Sequence, residues 1–426
     1  MFSTGTVYTF GNMSPYIASY LKYRTNNSWV TNGDTVWILA ITVFSKGCTM
    51  PLGGVLERFV GPRLTCLIGG ITMSLGTIFT FFTIKHSIYL VILTYGFMYG
   101  AGMGVIYSVA LATSVKWFPK HVGLVSGIVV GGYGLGSLLI NLIQTTIINP
   151  HNNSPNITIV YDKYFTDAAV LDNVPSCFLM IGFLYAIMQI IGIMFLISSD
   201  EDALSSEKYR LIAESTNSEL NISKIEESKD FTLKMALKEY RFYILWVTFL
   251  FNGIFIVTIT SLYKNFGQTF INDDHFFSIV GSTAAIFNAG GRMVWGKLFD
   301  IFSYKKMMTA LTFSMAFVLT LFYFSSLIKS VNGAKAMYTI WVFLLFFISS
   351  GNFSMIPAAT SQNFGSKNLA ILYGLIYFGY AISNLLGALV ISILLHMIHY
   401  WGQFTVATLF ALFSLSLTQF FPTSEK

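Results

Sequence analysis

The stretch Phe287 to Asp300, FNAGGRMVWGKLFD, places a full positive charge, Arg292, inside an apolar run from Phe276 to Phe299 and far from either end. A charge at that depth in a bilayer costs about 2.5 to 3.5 kcal/mol on insertion scales, so it must face a partner or a water-filled cavity. A guanidinium is a planar fork of N–H donors that fits a carboxylate through two parallel hydrogen bonds. Asn288 stands at i−4 on the same helical face, and Gly290 and Gly291 let a neighbouring helix or a ligand come close. The chemistry this predicts is binding of an organic anion inside the membrane. The alternative is an arginine kept for structural reasons, by an acidic partner or by the loop motif that follows. Against an acidic partner, no other apolar run carries Asp or Glu at comparable depth.

A second cation sits in TVFSKGCTMPLGG, where Lys46 lies near the middle of an apolar run and too deep for its ammonium to reach either surface easily. Two roles are open: a second anion-attracting charge or proton-exchanging amine, or a lysine turned to a watery gap without a specific ligand. Hydroxyls and amides on other runs complete the candidate pocket: Tyr8, Asn12, Tyr107, Tyr133, Asn252, Thr258, and Tyr373, Tyr377, Tyr380 and Asn384 at near-helical spacing. Any one of these tyrosines could equally be packing or interfacial, as could His396 and His399. No run carries a nucleophile, base and orienting group together, so an enzyme is not expected. The three cysteines, Cys48, Cys66 and Cys177, all fall in apolar segments without a CxxC or HExxH pattern, so neither a disulfide framework, a metal site nor a cofactor is expected.

The elements that must position these groups follow from composition. The 426 residues are 54% hydrophobic and only 10% charged, with mean hydropathy +0.65, as in a polytopic membrane protein. Most of the basic residues behind the net charge of +6 flank apolar runs, so the partners expected are lipid and a small anion, not nucleic acid. A monomer suffices. Twelve runs of spanning length recur, at about 1–20, 35–56, 64–84, 88–112, 123–147, 176–198, 243–263, 276–299, 307–328, 337–359, 369–394 and 401–421. The polar segment 199–241 separates two sets of six, giving an N-terminal half (1–198), a central loop on the cytosolic side and a C-terminal half (242–426). A modest Lys and Arg excess puts both termini in the cytosol, with Asn-x-Ser/Thr sequons at Asn26 and Asn156 outside. The plasma membrane is the expected location, with an organellar membrane as the alternative. The first run, which has no basic lead and contains Asn12, is not expected to be a cleaved signal, and its shortness suggests that upstream sequence precedes it.

The two halves repeat a motif. PLGGVLERFVGPR closes the second run and GKLFDIFSYKK the eighth, each with a glycine four residues before an acid, Gly53 to Glu57 and Gly296 to Asp300, and bases after it, Arg58, Arg63 and Lys305. Such loops resemble the signature of the major facilitator superfamily, which implies an all-α membrane protein of twelve transmembrane helices in two six-helix halves. The resemblance gives Gly53, Glu57, Arg58, Arg63, Gly296 and Asp300 a gating role. Glu57 replaces the commoner Asp, and Ile301 stands where the second copy would have a base. GAGMGVIYSVALATSVKWFPKHVGLVSGIVVGGYGLGS (Gly100 to Ser137), with glycines that thin the fourth and fifth helices, together with YTFGNMSPY and Arg292, resembles the oxalate/formate antiporters and the related monocarboxylate transporters.

That resemblance implies a secondary carrier with Arg292 on the carboxylate and Tyr107 at the family's tyrosine position. The acid and lysine that couple protons in monocarboxylate transporters fall on neutral Asn288 and Asn12. The second cation of the oxalate exchangers has no counterpart in the eleventh run. One firm cation favours a monoanion of the pyruvate, lactate or formate class over a dianion. The competing expectations are a dicarboxylate exchanger with Lys46 as second cation, and an anion receptor that does not transport.

Overall fold

Residues 1–25, 29–151, 153, 155–159, 162–196, 231–271 and 273–422 are described by a computed structural model of the protein. The sequon at Asn26 and most of the central loop lie outside the described residues.

Apolar residues on every side of a helix demand burial all round, in protein or in lipid, and the described residues answer with twelve membrane-crossing rods. A 3₁₀ segment, Ser3–Thr9, leads into α1 (Phe10–Arg24). The second and third rods, α2 (32–60) and α3 (62–83), form one run, Asn32–Thr83, broken only at Gly61. A loop is expected between them from the GPR sequence. The structure has a kink instead, because Gly61 takes φ +79 and Pro62 starts the next helix with its preset backbone. Next come α4 (Ile88–Trp117), α5 (Val122–Ile148) and α6 (Ala168–Met194). Between α5 and α6 lies a short antiparallel ribbon, β1 (Ile157–Ile159) and β2 (Asp162–Tyr164), the one departure among the described residues from an all-helical chain. The C-terminal half comprises α7 (Tyr240–Gln268), α8 (Asp274–Ile301), α9 (Tyr304–Phe322), α10 (Val331–Phe364), α11 (Leu369–Ile391) and α12 (Ile398–Gln419). α10 overruns the apolar run 337–359 by six residues at its start and five at its end, its N-terminal cap Ser330 lying beyond the hydrocarbon.

The N-terminal half is stitched by hydroxyls. Thr42, Ser45 and Thr49 of α2 donate to the carbonyls of Tyr95, Phe97 and Ala101 at 3.3, 2.9 and 2.9 Å. Two of those carbonyls lie in a π-helical stretch of α4, Ile92–Met98. This ladder fixes the rotation of α2 and so the direction in which Lys46 points.

The halves meet along two crossings, α5 with α8 and α2 with α11. At the first, a Cβ on Gly123 would lie 2.2 Å from the Gly296 carbonyl oxygen, and one on Gly127 would lie 2.3 Å from that of Arg292. Only glycine allows this approach. At the second, a Cβ on Gly54 would meet the Ile371 backbone at 2.6 Å. These contacts run from mid-depth toward the end that carries Gly61, Pro119–His121 and Phe302, here termed the inner end.

The repeated motif is used differently in the two halves. Asp300 crosses between them: the backbone N–H groups of Gly123 and Leu124 donate to its Oδ1 and Oδ2 at 2.7 and 2.8 Å, capping α5 with a carboxylate. Glu57 instead pairs with Lys116 of its own half at 3.1 Å, and Gly53 packs on α4 beside Ser108. Arg58 reaches across to donate to the Asn368 side chain at the start of α11, while Arg63 donates to the Leu196 carbonyl at 2.6 Å. Losing a carboxylate cap costs about 0.5 to 2 kcal/mol, so Asp300→Ala should open the inner end roughly 2- to 30-fold more often. In a background with the three native cysteines changed to Ser, a cysteine at buried position 371 should react correspondingly faster with a membrane-impermeant maleimide from that side. Unchanged labelling contradicts the role given to this cap.

Candidate functional site

Arg292 is 1% exposed, at the α5–α8 crossing. Its Nη1 donates to the Val130 carbonyl oxygen of α5 at 2.7 Å, and its Nη2 donates to the Tyr8 hydroxyl at 3.0 Å. Its Nε has no partner among the described residues. The Nε–H and one Nη2–H point the same way, so one edge of the fork holds an orphan donor beside a donor engaged only by a phenol. That is the edge a carboxylate takes side-on. The Phe353 ring lies 5.0 Å from the guanidinium carbon, and the Tyr133 ring 5.6 Å, an environment that steadies a cation without neutralising it.

Lys46 lines the same cavity from the opposite half-crossing. Its Nζ stands 3.8 Å from the Tyr107 ring centre and 4.7 Å from those of Tyr133 and Tyr377, a box of three aromatic faces. Tyr133 links the two cations, since Tyr8 and Tyr107 both meet it edge-on at 5.4 and 5.7 Å. Val7, Val43 and Tyr380 complete the wall, to which no acidic side chain among the described residues contributes. The void is about 30 Å³, room for one or two waters.

Seven residues expected from sequence therefore come together here: Arg292, Lys46, Tyr8, Tyr107, Tyr133, Tyr377 and Tyr380. Asn288 and Asn12 lie off this wall. Asn288 donates to the Phe346 carbonyl of α10 at 3.2 Å, and Asn12 to Thr145 of α5 at 3.0 Å. Asn252 pairs with Asn352 at 2.6 Å inside the C-terminal half, Thr258 bonds its own helix, Tyr373 stacks behind Tyr107, and Asn384 donates to the Tyr380 carbonyl. His399 is exposed at the break between α11 and α12, and the His396 side chain lies outside the described residues. The Val130 carbonyl and Phe353 are not found by sequence reasoning: one is backbone, and the other is one of 40 phenylalanines.

The profile of the Major Facilitator Superfamily matches residues 1–388. The chain belongs to the major facilitator superfamily. It is thus a transporter and an integral, multi-pass membrane protein, its described residues forming twelve helices in two halves. It is 27% identical to apicoplast pyruvate carrier 1 of Toxoplasma gondii over 440 aligned positions, covering 90% of this chain and 79% of that one. It is 25% identical over 342 positions to the oxalate:formate antiporter of Oxalobacter formigenes, covering 80% and 70%. Monocarboxylate transporter 9 of Gallus gallus is 20% identical, with 83% and 78% covered. Among solved structures, the facilitator FucP in its outward conformation superposes with a TM-score of 0.68 at 13% identity, covering 99% of this chain and 98% of that one, a likeness of fold alone.

Proposed function

We propose that this facilitator moves a small monocarboxylate of the pyruvate, lactate or formate class by alternating access, its carboxylate seated on the Nε–Nη2 edge of Arg292. The observation that carries the reading is a buried guanidinium with a half-unmet fork facing a cavity that no acid among the described residues lines. A permanent cation in that setting is stabilised most by an anion that completes its hydrogen bonds. The names of the pyruvate carrier and the oxalate:formate antiporter among its relatives point to the same class of substrate.

Alternating access on this reading is a rocking of 1–198 against 242–426, linked by 199–241, with the site near the midplane between them. The sealed inner end then belongs to one of the two end states. Arg58, Asp300 and the glycine contacts are its latch, and the aromatic walls part when a three-carbon acid enters. The membrane proposed is the plasma membrane, with an organellar membrane as the alternative.

Lys46 favours a second reading, a dicarboxylate exchanger, because it shares the cavity with Arg292. An anion receptor without transport is a third, and flux of labelled substrate into proteoliposomes separates it from a carrier.

Two measurements divide these readings. Arg292→Lys keeps the charge and loses the fork, so uptake of labelled pyruvate into proteoliposomes should fall at least tenfold, about 1.4 kcal/mol, with insertion unchanged. Wild-type uptake in this variant removes Arg292 from the site. In competition against labelled pyruvate at fixed pH, pyruvate and lactate should displace the label better than oxalate, and Lys46→Gln should slow transport without reversing that order. Oxalate competing best in the wild type, and losing that advantage in the Gln variant, makes the dicarboxylate reading the right one.

A further inference from the structure

Tyr8 differs from the other tyrosines of the wall in three ways. It comes from the 3₁₀ segment Ser3–Thr9, whose hydrogen-bond geometry is looser than that of an α-helix, whereas Tyr107, Tyr133, Tyr377 and Tyr380 stand on long rods. Its side is open: Tyr8 is 41% exposed, while Tyr107, Tyr133 and Tyr377 are buried. Its hydroxyl is the only tyrosine oxygen bonded to Arg292 among the described residues, and it engages Nη2, the donor beside orphan Nε. A phenol oxygen there does for one donor what a carboxylate would do for two.

A carrier that returns empty must carry this guanidinium through an occluded state without an anion. Donors of a buried charge that lose their partners there raise the barrier steeply. The Tyr8 oxygen supplies such a partner from within the chain. We propose that the Tyr8 hydroxyl is the resident ligand of Arg292 in the empty carrier and cedes Nη2 to the arriving carboxylate, so that this one group sets the ratio of net transport to exchange. The inference rests on the reading of Arg292 as the carboxylate site. On this account Tyr8 has two opposed effects. It competes with the substrate, weakening its apparent affinity, and it lets the unloaded carrier turn over.

The test uses the full chain in proteoliposomes with labelled pyruvate in two assays. One is uptake into vesicles without internal substrate, which requires return of the empty carrier. The other is counterflow into vesicles preloaded with unlabelled pyruvate, which does not. Tyr8→Phe keeps the ring and its edge contact with Tyr133 and deletes the oxygen. Its ratio of net uptake to counterflow should fall about tenfold, while half-saturation for counterflow falls about threefold. Tyr8→Gln restores an oxygen acceptor and should recover most of the ratio. A ratio equal to wild type in the Phe variant, both rates falling together, or a Gln variant no better than Phe overturns the role given to Tyr8 and leaves the carboxylate site standing. Absence of counterflow in the wild type removes the carboxylate site itself, and this inference with it.

Discussion

A guanidinium cannot give up its proton, so a chain that buries one at mid-membrane depth must build its surroundings around a permanent charge. The α5–α8 crossing is that construction. Gly127, Gly131 and Gly134 run along the face of α5 toward α8, where a Cβ at each would meet Arg292, Met293 or Ala289. With Gly134 one turn beyond Val130, no side chain shields the Val130 carbonyl, and Arg292 Nη1 reaches it at 2.7 Å. A carbonyl, a phenol and aromatic faces satisfy part of the fork and none of the charge. On the proposed reading, the remainder is the binding energy available to an anion.

The same helix face joins Arg292 to the inner end. Arg292, Gly296 and Asp300 follow one another at i, i+4 and i+8, so about 12 Å of α8 separates the guanidinium from the carboxylate that caps α5. Gly296 sits between them, against Gly123. Any tilt of α8 that reshapes the donor edge of Arg292 also moves Asp300 relative to the Gly123 and Leu124 amides. The pseudo-equivalent acid, Glu57, pairs with Lys116 within its own half. The two copies of one sequence motif thus both reach across the halves, one through the Asp300 carboxylate and the other through Arg58, while Glu57 braces α2 against α4 through Lys116.

The twelve helices were legible because membrane crossing imposes a length and a composition that single residues cannot disguise. Their ends were less so, since caps such as Thr31 with Asp34 lie outside the apolar runs. The burial of Arg292 and Lys46 was legible for the same reason that it is costly. Their company was only half readable: the i−4 rule put Asn288 on the right face of α8, but α10 covers that position and its Phe346 carbonyl takes the amide. No side-chain pattern announces that the Val130 backbone carbonyl is a ligand. Nor does the glycine run say which of its members face α8 and which, like Gly132 and Gly136, face the segment around Phe2.

The central claim is a carboxylate on one edge of one arginine. A structure of the full chain with a saturating monocarboxylate such as pyruvate addresses it directly. The account predicts both carboxylate oxygens about 2.7 to 2.9 Å from Nε and Nη2 of Arg292, with Val130 still holding Nη1. An anion bound elsewhere, with Nε still unpaired and Nη2 still on Tyr8, would contradict it.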